Sequence, residues 1–221
     1  MATFVVRVWV PDRPGALGAV ASRIGAVRGD LVGIDILERG AGRAIDELVV
    51  ELPGPELVDL LVAEMGQVDG VDVEDVRPAT EAAHDPRLDA LETAAILVDQ
   101  HRVEDLFAAL AANARANFEA DWAVVVDLEP PARRAEAGEA PSVAWLAAFL
   151  LGSRSSVGTA AVDGGPDDVA WAELPLADIA LVLGRRGRPF RARERRQLAA
   201  LARIADSRRR ELVATPAFPR K

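Results

Sequence analysis

Residues Thr3 to Val10 alternate in character, with Phe4, Val6, Val8 and Val10 on one side and Val5, Arg7 and Trp9 on the other. A period of two over eight residues predicts a strand with one apolar face. The turn Asp12-Arg13-Pro14-Gly15 follows, and Leu17, Val20, Ala21, Ile24 and Arg28 then recur at helical spacing. Pro14 has its φ preset for a helix start, Asp12 stands where it would cap the opening turn, and Gly29 is placed to end the helix. Leu31 to Glu38 and Arg43 to Leu52 read as two further strands around Gly40-Ala41-Gly42. Beyond Pro53-Gly54-Pro55, the residues Leu57, Leu60, Leu61, Glu64 and Met65 trace a second helix, with Gly70 expected to close it and Val71 to Val76 forming a fourth strand. The order is β-α-β-β-α-β, an α+β pattern. Two helices can cover only one face of a four-stranded antiparallel sheet, so the expected fold is ferredoxin-like.

That pattern uses about a third of the 221 residues. At roughly 150 residues per domain, the whole chain allows one large domain or two small ones. Pro78 to Pro86 (PATEAAHDP) is polar, holds two prolines and lacks periodicity, so we place a linker at 79–86. The expected division is therefore 1–78, the linker, a second domain at 87–213 and a tail at 214–221. In the second part, 87–99 and 102–118 are helical patterns and Trp122 to Leu128 (WAVVVDL) is a buried strand. Glu129 to Pro141 is rich in Pro, Ala and charge, and is expected to be a mobile loop. Ser142 to Leu151 reads as a short helix capped by Ser142. Gly152 to Asp168 is rich in Gly and Ser. Val169 to Leu174 and Ile179 to Arg185 read as strands around Pro175, and Arg191 to Val213 as a helix with Leu198, Leu201, Ala202, Ala205 and Leu212 inward.

Composition narrows the function. Half the residues are apolar and 28% are charged, the balance of a globular protein with a real core. The formal net charge of −9 argues against nucleic acid or an anionic membrane as the main partner. The longest apolar stretch, Val143 to Leu151, is far short of the ~20 residues of a membrane span. The start of the chain lacks a charged segment followed by an apolar core, so no signal peptide and a cytoplasmic location are expected. With no Cys there is neither a thiolate nucleophile nor a Cys-based metal site. With two His and no Tyr the general acid/base stock is nearly empty. His84 falls in the linker and His101 beside Asp99, Glu104 and Asp105, where a solvated group is the ordinary reading. Ser153, Ser155 and Ser156 lack a Gly-x-Ser-x-Gly elbow, there is no Gly-x-x-x-x-Gly-Lys loop, and Asp167-Asp168 reads as a turn. We therefore expect no catalytic residue, no metal and no cofactor.

The segment Val8-Trp9-Val10-Pro11-Asp12-Arg13-Pro14-Gly15-Ala16-Leu17, on a strand and opening a helix, together with Arg28-Gly29-Asp30-Leu31 at the next strand, resembles the ACT domain over residues 3 to 78. That resemblance implies a dimerising, ligand-binding regulatory module in which an effector amino acid sits where this loop of one chain meets the neighbouring chain. Carried over by position, Asp12 and Asp30 would hold an ammonium group, and the amides of Gly15, Ala16 and Leu17 would face an α-carboxylate, with Arg13 and Pro14 of the same loop also among the expected ligand-binding residues. A helix N-terminus has bare N–H groups and a positive dipole end, which suits that carboxylate. Some amino-acid-binding members have a His just before the turn, and this chain departs from them with Val10. The plainer reading is a good strand-to-helix turn with a solvated Asp30. Trp9, on the face away from the helices, suggests a protein partner, either a second chain or the C-terminal domain; otherwise it only shields the sheet edge.

Residues 87 to 213 resemble, in layout and in the phrase Gly187-Arg188-Pro189-Phe190 before a long helix, a GAF-type sensory domain. This implies a central antiparallel sheet with flanking helices. Without Cys, a thioether-linked chromophore is impossible there. Residues 185 to 210 hold eleven Arg against Glu194 and Asp206, while 79 to 184 hold six Arg against eighteen carboxylates. Internal pairing is therefore the favoured reading over an anionic partner. The leading expectation is a non-enzymatic regulatory homodimer that binds a small molecule, most naturally an amino acid. The alternative is a ligand-free interaction subunit for an enzyme or signalling partner.

Overall fold

The computed structural model describes residues 1–79, 86–156 and 168–214, with the side chains of 86–87 and 154–156 outside that description. It divides into two compact units, Met1–His84 with Arg191–Arg193, and Asp85–Phe190 with Glu194–Lys221. Both are α+β, each built on a four-stranded antiparallel sheet. The expected linker and tail lie, but for their ends, outside the described residues. Among those residues no helix is long and apolar enough to cross a membrane.

The first unit runs β1 (Ala2–Pro11), α1 (Ala16–Ala26), β2 (Asp30–Gly40), β3 (Arg43–Leu52), α2 (Val58–Met65) and β4 (Asp72–Pro78). Its strand order is β2-β3-β1-β4, which is the ferredoxin-like order. The alternation of β1 works as read. Phe4, Val6, Val8 and Val10 are buried with Val20 and Ile24 of α1 and Leu61 and Met65 of α2. Each such side chain contributes about 1.5–3 kcal/mol of apolar burial. Two helix ends differ from expectation. The N-cap of α1 is Gly15, with no side-chain cap, so Asp12 does not cap it. The second helix stops at Met65 against Gly66, not at Gly70. Past Met65 the chain tightens into three-residue turns, with Gln67 N–H donating to Glu64 O at 3.2 Å and Val68 N–H to Met65 O at 3.1 Å. Gly70, at φ 78, serves the later turn, where a Cβ would stand 2.8 Å from Pro11 Cγ.

The second unit runs α3 (Pro86–Val98), α4 (Val103–Asn117), β5 (Trp122–Leu128), β6 (Pro131–Ala137), α5 (Val143–Ser156), β7 (Val169–Leu174), β8 (Ile179–Gly184) and α6 (Ala192–Ala214). The strand order is β6-β5-β8-β7, with every neighbouring pair antiparallel. Helices lie on both faces, the GAF-like layout. Leu106, Phe107 and Leu110 of α4 and Leu198, Leu201 and Ala205 of α6 pack on Val125, Leu181 and Leu183. Leu146 and Leu150 of α5 pack on Val124, Val126, Ala180 and Val182. Ser142 caps α5, its Oγ accepting the Trp145 N–H at 3.3 Å.

The expected mobile loop at 129–141 is instead largely strand β6. Among the described residues it is an edge strand paired with β5 alone, and edges tolerate charge and a leading proline. Ala135 and Ala137 turn toward the core while Arg133, Arg134 and Glu136 face outward.

Candidate functional site

The corner after β1 is built by backbone geometry. Ala16 N–H donates to Arg13 O at 3.3 Å, and Gly15 lies at φ 85, ψ −13. Arg13-Pro14-Gly15-Ala16 is thus a type II turn, with Pro at its second position and Gly where φ must be positive. The Asp12 N–H donates to Gly42 O at 2.9 Å, tying the corner to the β2–β3 hairpin. Ala19 N–H donates to Gly15 O at 3.0 Å, which starts α1. Among the described residues, the N–H groups of Leu17 and Gly18 therefore have no side-chain acceptor at a helix end that favours negative charge. Asp12, Arg13, Pro14 and Gly15 are exposed, Leu17 is half-buried and Ala16 is buried.

Asp30 is not part of this corner within one chain. It pairs with Glu51, whereas Pro11 pairs with Arg43. Those two positions are eight residues apart on β3, so Asp12 and Asp30 stand at opposite ends of the sheet, about 27 Å apart.

A carboxylate that the sequence reading passed over stands closer. Asp46 lies on β3 between Val8 and Ile36, on the helix-bearing face, and is 4% exposed. Its Oδ1 has no hydrogen-bond partner among the described residues. Burial pushes its carboxyl above the ordinary value, Arg39 partly offsets that, and the Asp12 charge pushes it up further. Asp12 and Arg39 thus both act on the Asp46 carboxyl, and Asp12 also precedes the uncapped end of α1. The arrangement can take a ligand with both signs of charge: a cationic group toward the two carboxylates, an anionic one toward the helix end and Arg39. The missed signal was present. Along the core-facing series Ala44, Asp46, Leu48, Val50 and Leu52, one carboxylate interrupts four apolar residues.

Opposite the helices, the sheet carries charge. Arg7, 1% exposed, donates through Nη2 to Glu47 Oε1 at 2.8 Å, and Arg77 reaches the same oxygen at 2.9 Å. Burial alone would raise the Glu47 carboxyl, but the two guanidiniums outweigh it and hold it below the ordinary value. Trp9 on this face is half-buried, with the Arg43 guanidinium 5.1 Å from its ring centre.

In the second unit Arg185 is a structural clasp. It is 4% exposed, donates to Phe118 O at 2.8 Å, pairs with Glu194 at 2.8 Å and lies 4.0 Å over the Phe190 ring. Arg188, Arg208 and Arg209 pair with Glu119, Glu211 and Asp206. Much of the arginine excess is therefore compensated internally. His101 is exposed, and among the described residues no group of three side chains could hold a metal ion. His84 and Asp167 lie outside the described residues, as do the side chains of Ser155 and Ser156.

No family model matches this chain, and no curated protein matches it. Some solved structures are distantly similar. The ACT domain of a GTP pyrophosphokinase from Chlorobium tepidum aligns over 35% of this chain and 97% of its own length, at 15% identity and TM-score 0.29. A formyltetrahydrofolate deformylase from Pseudomonas putida aligns over 44% of this chain and 39% of its own, at 14% identity and TM-score 0.30. The GAF domain of the cyanobacteriochrome TePixJ aligns over 62% of this chain and 100% of its own length, at 14% identity and TM-score 0.38. The likeness is one of distant ACT-like and GAF-like folds, and the fold assignment itself stands on the two strand orders.

Proposed function

We propose that this is a non-enzymatic regulatory protein whose first unit binds a small zwitterion, most naturally an amino acid, at the corner formed by Asp12, Gly15, Ala16 and Leu17 with Asp46 and Arg39. The observation that carries this reading is the buried Oδ1 of Asp46, which has no hydrogen-bond partner among the described residues and lies on the strand paired with the one that leads into the uncapped end of α1. A buried carboxylate without a partner costs about 1–3 kcal/mol or more, so a residue of this kind on a core face calls for a use. An ammonium group would satisfy it.

Asp30 joins such a site only from a second chain. Strand β2 is the sheet edge and bears the exposed apolar residues Val32, Ile34 and Ile36. Antiparallel pairing of two such edges would bring Asp30 of the partner subunit to the end of the sheet that holds Asp12. In such a homodimer, an effector bound between chains shifts the balance of two dimer arrangements by its differential affinity. The same exposed edge favours the second reading, an interaction subunit that assembles through β2 without a ligand.

A thermal-shift screen with the twenty amino acids on the full chain tests the first reading. At a hundredfold excess over Kd, one-site binding adds about 2.7 kcal/mol of stability. The expected result is stabilisation by one or a few amino acids, lost in Asp12→Ala and Asp46→Asn. Silence from all twenty, with a protein partner co-purifying, favours the subunit reading instead.

A further inference from the structure

At one end of the second unit's sheet an open groove of about 740 Å³ is lined by Arg115, Asp121, Trp122, Gly138, Glu139 and Arg186. We propose that this groove binds a small organic anion made of one phosphate or carboxylate head and a flat, uncharged ring.

The parts are held in place. Arg115 donates through Nε to Asp121 O at 3.0 Å, and the Arg186 N–H donates to Asp121 Oδ2 at 3.0 Å. Asp121 N–H in turn donates to Gly184 O at 2.9 Å. Asp121 is therefore a positioning residue for both arginines, through its carbonyl and its carboxylate. Neither guanidinium meets a carboxylate among the described residues, which in this unit is also so for Arg195, Arg196, Arg203 and Arg210, whereas Arg133, Arg134, Arg185, Arg188, Arg208 and Arg209 do meet one. Two guanidiniums can share an anionic head through charge-assisted hydrogen bonds.

The ring platform is Trp122. It pairs with Gly184 across β5 and β8, and a Cβ at Gly184 would stand 2.2–2.7 Å from indole atoms. One part of the indole thus packs against bare backbone, while the half-buried ring borders the groove. Gly138, at φ 81, has the same origin: a Cβ there would sit 2.2 Å from Asp121 O and 3.0 Å from Arg115 Nε. An aromatic face beside guanidiniums suits a planar ring by stacking. Glu139 is exposed on the lining and repels a second negative charge, so the preferred ligand carries its charge at one end.

The test follows the four indole N–H signals of the full chain by NMR, with Trp122 assigned through Trp122→Phe. Phenyl phosphate is the probe, and phenol and inorganic phosphate are its separate halves. Phenyl phosphate should move the Trp122 signal saturably while leaving Trp171 in place, and should bind at least about tenfold more tightly than either half. Arg115→Gln and Arg186→Gln should each weaken binding about tenfold, and Glu139→Gln should tighten it. If a glutamine variant displaces the Trp171 signal, Arg115→Lys and Arg186→Lys take its place, since an ammonium keeps the charge and loses the bidentate fork. No saturable movement up to about 10 mM phenyl phosphate overturns the proposal, because millimolar Kd already corresponds to only about 4 kcal/mol. Undiminished binding in the arginine variants, or inorganic phosphate binding as tightly as phenyl phosphate, overturns it equally.

Discussion

The two sheets have four strands each and differ in which faces carry carbon. In the first unit the even positions of β1 are buried among helices, and the odd ones hold Val5, Arg7 and Trp9. In the second unit every residue of β8 is buried, because helices stand on both sides. A sheet covered on one face alternates; a sheet covered on both reads as a continuous apolar run. The consequence reaches polar groups too. The first unit buries charge within its sheet, as Arg7, paired with the half-buried Glu47, on one side and Asp46 on the other. The second places its buried cation, Arg185, just beyond the end of β8, where carbonyls of the following turn and Phe118 receive it.

The strongest test of that contrast is Arg185→Ala. It deletes donors to three backbone carbonyls and leaves Glu194 without this partner in a largely buried place. Breaking a buried pair from one side costs about 3–5 kcal/mol. Chemical denaturation followed by hydrogen exchange should show that loss in β5, β8 and α6, with β1 to β4 little changed. A comparable loss in β1 would mean that the two units do not unfold separately.

Glu47→Ala is the counterpart in the first unit, expected to cost about 3 kcal/mol because Arg7 loses this partner at 1% exposure. It carries a pH signature. Since the folded carboxyl is held below its ordinary value of 4.5, its contribution is present above that value and is lost as pH falls through the lower folded one. Acid denaturation of the parent should therefore show a stability decline at that end which the variant lacks.

The sequence made much of this legible, and the failures have physical causes. Alternation in β1 and the apolar run of β5 gave both strands to within a residue or match, because burial writes period directly. Strand β6 was unreadable: an edge strand shows its charges to solvent, so Arg133, Arg134 and Glu136 look like a loop. The distance between Asp12 and Asp30 was hidden for another reason. Both flank turns, and only register shows that these turns are at opposite ends. Asp46 was visible as a break in an apolar series, but a single polar residue in a strand gains meaning only when its neighbours prove to be buried.

Asp46→Asn should act with the opposite sign to Glu47→Ala. A carboxyl raised in the folded state contributes stability that is full below its ordinary 3.8 and lost as pH rises through the raised value. Near neutral pH the charge is therefore a burden. The neutral amide should stabilise the first unit by about 1–2 kcal/mol while abolishing amino-acid-dependent stabilisation. Gain of stability with loss of response would mark a residue kept for use. Loss of stability would place an undetected partner on Asp46 and remove the main support for the ligand reading.

Gly15→Ala makes the smallest and most selective change. At φ 85 an alanine is strained by about 1–2 kcal/mol, partly offset by its lower unfolded-state entropy, so the net cost is about 1 kcal/mol. A Cβ at this position meets nothing within 4 Å, so the protein itself has room for the methyl group. That separates the two readings of the turn. If Gly15 serves only the bend, the variant melts lower and any amino-acid-induced shift keeps its size. If a ligand's carboxylate approaches the bare backbone at the mouth of α1, the methyl stands in its path, and the shift disappears at ligand concentrations that saturate the parent. The comparison of shifts at equal excess of ligand, with melting temperatures referenced to each apoprotein, reads one outcome against the other.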